Sequence, residues 1–130
     1  MTQTNIEIAK SGYAAFGRGD IAGILDLLTD DVEWITPGPG LPTEGARRAK
    51  AGAAQFFEAV GKNWDFTAFE PREFIASGDT VVVIGSYTAT ARVTGKSATS
   101  DWVMIWKMRD GKVAYFREYT DTLAISAALK

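Results

Sequence analysis

The sequence has no cysteine and no histidine, and only 4 prolines among 130 residues. Without cysteine there is no disulfide, no thiol nucleophile and no sulfur-ligated metal, a usage that fits a cytoplasmic protein. Without histidine there is no Ser-His or Cys-His nucleophile pair and no imidazole zinc site. Acid–base chemistry then falls to carboxylates, tyrosines or lysines. Positive charge is scarce as well: a formal net charge of −2 and a pI near 5.1 provide no basic field for a polyphosphate backbone, which argues against nucleic acid as a partner. Long hydrophobic runs are also missing. WVMIW falls far short of the roughly 20 apolar residues of a membrane helix, and MTQTNIEIAK has no apolar stretch behind a basic start, so neither a membrane partner nor a secretory signal is expected.

What remains is ordinary globular material, 46% hydrophobic and 23% charged, in a chain of one domain's length, residues 1–130. Ile6, Ala9, Tyr13 and Phe16 recur at helical spacing and predict a first helix ending at Gly17 to Gly19. Asp20 reads as the N-cap of a second helix with Ile21, Ile24, Leu25 and Leu28 as its buried stripe. A short strand, Val32 to Thr36, stops at a Pro/Gly cluster, and a loop runs to about Gly45. Ala46 to Val60 predicts a third helix, with Arg47, Arg48 and Lys50 in its first turns.

Beyond it the period changes. Phe66 to Ala76, Thr80 to Val93, Ser97 to Met108 and Lys112 to Thr120 read as four antiparallel strands in a meander, separated by SGD, TGK and RDG turns. Leu123 to Leu129 predicts a closing helix capped by Asp121. The fold class is therefore α+β, with three N-terminal helices packed on the concave face of a curved antiparallel sheet. VVVIG and WVMIW are apolar on both faces, so a second copy of the chain is expected to cover the outer face as a homodimer, with Arg117 and Tyr119 in the interface.

The segments YAAFGRGDIAGILDLLTDDVEW and WKMRDGKVAYFREYTDT, with the third helix and the meander in order between them, resemble the nuclear-transport-factor-2-like superfamily. Within it they resemble the SnoaL-like polyketide cyclases and ketosteroid-isomerase-related proteins. The resemblance covers nearly the whole chain and implies a cone-shaped barrel, open at one end, that holds a small apolar molecule. It implies no metal and no organic cofactor. Ketosteroid isomerases carry a base Asp on the first strand and a neutral Asp on the third long strand. Those positions fall here on Trp34 and on Met104 or its neighbour Val103, and Met104 is also where SnoaL-type cyclases carry an acid. The Arg and two Asp residues of limonene-epoxide-hydrolase-like members fall on Gly85, Tyr87 and Glu118.

Strand alternation groups Phe116, Glu118 and Thr120 on one face, and the resemblance turns that face inward. Glu118 is the candidate acid or base, because a carboxylate among aromatic side chains has its charged form disfavoured. Tyr87 is the second catalytic candidate, and Tyr87 or Tyr13 would donate to a ligand oxygen. Tyr13, Phe16, Trp34, Phe56, Trp102, Met104 and Phe116 are expected to form the ligand wall, while alternation sends Asp101 to the other face. Asp30, Asp31 and Glu33 read as a solvated turn, and GPGLPTEG as a rim at the cone's mouth. The implied function is binding of a polyketide- or steroid-like molecule with proton transfer of isomerase, cyclase or hydrolase/dehydratase type. The alternative is a non-catalytic binding or dimerisation module that lacks the usual acids.

Overall fold

The computed structural model describes residues 2–130; Met1, the first residue of the MTQTNIEIAK segment, lies outside them. In chain order the elements are α1 (Thr2–Gly17), α2 (Ile21–Leu25), β1 (Leu28–Thr36), β2 (Gly45–Arg48) and α3 (Ala49–Asn63). They continue with β3 (Trp64–Ser77), β4 (Thr80–Ala91), β5 (Ser97–Arg109), β6 (Lys112–Thr120) and α4 (Thr122–Ala128). Six strands form one curved, unclosed sheet in the order β2-β1-β6-β5-β4-β3, with helices on one face. No helix among the described residues is long and apolar enough to cross a membrane.

The expected meander of β3 to β6 is present, and both N-caps form: Asp20 accepts from the Gly23 amide at 2.9 Å and Asp121 from the Ala124 amide at 3.0 Å. Four expectations need correction. The sheet is mixed rather than antiparallel, because β1 runs parallel to β6, its partner in space but not in sequence. Helix α2 stops at Leu25, and Leu28 opens β1 opposite Val113, where strand pairing and complete burial outweigh its helical spacing. Arg47 and Arg48 lie not in a helix but in β2, which pairs with β1. The chain turns from there into α3 at Ala49, whose φ of 64° is left-handed. Finally, Asp30, Asp31 and Glu33 belong to β1 rather than a turn, with Asp31 paired to Arg109 and Asp30 within 3.8 Å of Lys50.

The RDGK turn joins β5 and β6 through Asp110 and Gly111, whose φ values of 52° and 79° match the strand twist. Two residues further on the register slips: Met108 pairs with Val113, but Lys107 pairs with Tyr115, leaving Ala114 as an extra residue on β6. That bulge places Glu118 opposite Met104. Without it Arg117 would stand there, and the cavity would receive a guanidinium in place of a carboxylate. Bulges in β3, between Phe66 and Ala68 and between Pro71 and Glu73, bend that strand around the helices while Phe66, Phe69 and Phe74 pack against the core.

Candidate functional site

Between the helices and the concave sheet lies a cavity of about 100 Å³. A single buried water needs roughly 10–15 Å³ on the same scale, so the space is several times what one water requires. Helix α1 contributes Tyr13 and Phe16, α3 contributes Phe56 and Phe57, and β1 contributes Trp34, which stacks on Phe116 of β6 at 3.9 Å and 12°. Met104 and Trp106 of β5 line it as well, as do Leu41 and Thr43 of the 37–44 loop. Glu118 is the one charged side chain lining the cavity among the described residues.

Glu118 is half-buried, and as a lining residue it opens into the cavity. Burial raises its carboxyl from the ordinary 4.5 to about 7, against the opposing pull of a hydrogen bond from the Tyr87 hydroxyl at 3.1 Å. Tyr87 also lies 2.7 Å from the Thr120 hydroxyl. Burial likewise pushes the phenols of Tyr87 and Tyr13 up, so both remain neutral donors.

Tyr13 is held differently. Its hydroxyl accepts from the Trp106 indole N–H at 2.9 Å and donates to the Met104 thioether at 3.2 Å. A thioether is a weak acceptor, so an oxygen placed in the cavity competes readily for this donor. Met104 is the residue opposite Glu118 across β5 and β6, which brings the Tyr13 hydroxyl and the carboxylate to the same end of the cavity.

Of the nine residues expected at the site, Glu118, Tyr87, Tyr13, Phe16, Trp34, Phe56, Met104 and Phe116 line the cavity. Trp102 does not. Its indole lies over Gly85, the cross-strand neighbour that lacks a side chain, and stacks behind Tyr13 at 5.7 Å and 23°. The indole N–H groups of Trp34 and Trp102 are buried without a hydrogen-bond partner and with almost no accessible area, so neither is presented to the cavity. Asp101 is exposed on the outer face, as alternation requires.

Thr120, Phe57 and Phe69 also line the cavity, beyond the nine expected residues. Thr120 was detectable from its alternation with Glu118 and Phe57 from helical spacing. Phe69 sits between the two β3 bulges, where alternation fails.

A SnoaL-like domain model matches residues 9–116. Among solved structures, an NTF2-like protein from Burkholderia xenovorans LB400 is 38% identical and superposes with a TM-score of 0.91 over 100% of this chain and 98% of that one. TerC, co-crystallised with polyporic acid, is 37% identical, with a TM-score of 0.85 over 97% and 98% of the two chains. Patulin synthesis protein F of Aspergillus clavatus is 32% identical over 73 residues, which is 55% of this chain and only 37% of that protein. Sheet order, helix placement and these matches agree: the chain belongs to the SnoaL-like domain family and has the NTF2-like fold.

Proposed function

We propose that the cavity binds a small aromatic or polyketide-like molecule and that Glu118 exchanges a proton with it while Tyr13 donates to one of its oxygens. The observation that carries this reading is the isolation of Glu118 as the one charged group lining the cavity among the described residues, with its carboxyl raised to about 7. Near neutral pH such a group is present as both acid and base, the condition under which a single carboxyl can take a proton from one atom and return it to another. Tyr13 suits the donor role better than Tyr87, whose hydroxyl is engaged by Glu118 and Thr120. The chemistry is proton transfer of isomerase, cyclase or dehydratase type. Two relatives support the ligand class: TerC, co-crystallised with polyporic acid, and the more distant Patulin synthesis protein F.

Polyporic acid is accordingly the first probe. Calorimetric titration is expected to show binding that changes as pH passes through about 7, with Glu118→Gln removing that dependence and Tyr13→Phe weakening binding roughly tenfold. Binding that is equally strong at every pH in the wild type and in Glu118→Gln would instead favour a non-catalytic binding module.

We propose further that two chains pack through the outer sheet face. Val82, Ile84, Val103 and Ile105 are half-buried there, and Ile75 and Tyr119 are 54% and 47% exposed. Sedimentation equilibrium should return twice the 14.1 kDa chain mass for the wild type and a single-chain mass for Ile105→Glu. A wild-type monomer would refute the interface.

A further inference from the structure

The Glu118–Tyr87 contact is the first link of a longer chain of hydroxyls. Tyr87 lies 2.7 Å from Thr120 Oγ1, which lies 3.0 Å from Ser100 Oγ, and in both contacts either oxygen can be the donor. Ser100 in turn donates to the Asp101 carbonyl oxygen at 2.7 Å and accepts from the Asp121 amide at 3.0 Å. The chain crosses three strands: Tyr87 of β4 is paired with Ser100 of β5, and Thr120 follows Glu118 on the inward face of β6. We propose that Tyr87, Thr120 and Ser100 form a reversible hydroxyl relay whose direction is set by the proton on Glu118, with Thr120 and Ser100 as positioning residues for that acid.

Each hydroxyl has one proton, and counting them separates the neutral from the ionised state of Glu118. When Ser100 donates to the Asp101 carbonyl, Thr120 must donate to Ser100, and Tyr87 to Thr120. Only a neutral Glu118 carboxyl can then complete the chain, by donating to the Tyr87 oxygen. When Glu118 gives up its proton, Tyr87 must turn its own toward the carboxylate. The three hydroxyl protons then serve four contacts, so one of the Tyr87–Thr120, Thr120–Ser100 and Ser100–Asp101 contacts loses its donor. Ionisation thus strengthens one hydrogen bond and forfeits another, so the chain favours the neutral acid more than Tyr87 alone would. No covalent bond other than O–H changes, and the proton leaving Glu118 goes to the bound molecule or to water.

The relay rests on the reading of Glu118 as the acid of the site. The titratable groups facing Glu118 are Tyr87 from β4 and Tyr13 from α1. β5 presents Met104, β1 presents Trp34 and α3 presents Phe56 and Phe57, none of which titrates.

The test is the titration of the Glu118 side-chain carboxyl by 13C NMR in the ligand-free protein. Thr120→Val leaves Tyr87 with Glu118 as its one acceptor and Ser100 bonded to the Asp101 carbonyl in both states, so ionisation no longer forfeits a bond. The midpoint is expected to fall by about one pH unit. Ser100→Ala should lower it likewise, and Thr120→Ser should restore the wild-type value. Tyr87→Phe, which removes the donor to the carboxylate, should raise it by a similar amount.

A merely structural role gives a different pattern, because replacing any of these hydroxyls with hydrogen or methyl makes the surroundings more apolar and raises all three midpoints. Thr120→Val and Ser100→Ala midpoints that stay put or rise would overturn the relay. Should Thr120→Val not fold, Ser100→Ala carries the same decision. Ligand binding is read separately by calorimetry, so the relay can fail while the function stands, or the reverse.

Discussion

Glu118 combines an unfavourable environment with a specific partner, and its stability signature follows from that balance. Its carboxyl ionises near 4.5 in the unfolded chain and near 7 in the folded one. Between those values the folded state holds more proton than the unfolded state, so stability falls as pH rises through this window and is lower by a constant amount above it. The difference corresponds to up to roughly 3 kcal/mol. Glu118→Gln, which keeps the shape and cannot ionise, is expected to flatten this slope. In urea denaturation it should be more stable than the wild type at pH 8 and no more stable at pH 4; equal slopes for the two proteins would contradict it. At this scale the sequence was informative about Glu118, because alternation from Phe116 to Thr120 is intact. Alternation with Trp102 and Met104 also turns Ser100 inward, but its link to Glu118 through Thr120 and Tyr87 depends on pairing between strands.

At the scale of elements, two irregularities decide what the cavity contains. The Ala114 bulge selects Glu118 over Arg117 as the inward residue, and a plain two-residue hairpin read from RDGK does not reveal it. Gly85 is the second. A β-carbon there would lie 2.3 Å from the Glu70 carbonyl oxygen and 2.6 Å from the Trp102 ring, contacts that rigid backbone and packed indole cannot relieve. Gly85→Ala is therefore expected to destabilise the protein by about 1–3 kcal/mol and to loosen the Tyr13 stack on Trp102. A denaturation midpoint equal to the wild type would count against this packing. The same glycine explains why Trp102, inward by alternation, withdraws from the cavity wall: alternation gives the face but not the depth to which a side chain sinks. The β2 strand was hidden because GARR has helix-forming residues and only the pairing with β1 makes it extended.

The whole molecule is a sheet whose two faces do different work. Its concave face, closed by helices, holds aromatic side chains around one carboxyl, and its outer face keeps the half-buried aliphatics of β4 and β5. Helix count and strand order in the meander were legible from local periodicity and turns, and the family from the resemblance carried by YAAFGRGDIAGILDLLTDDVEW and WKMRDGKVAYFREYTDT. The parallel pairing of β1 with β6 was not, since strands separated by most of the chain leave no turn between them to read. A carboxyl placed in this apolar cavity is poised between acid and base near neutral pH. A 13C titration of the wild-type Glu118 carboxyl reads this out: a midpoint about 7 is expected, and a midpoint at the ordinary 4.5 would rule the poised acid out.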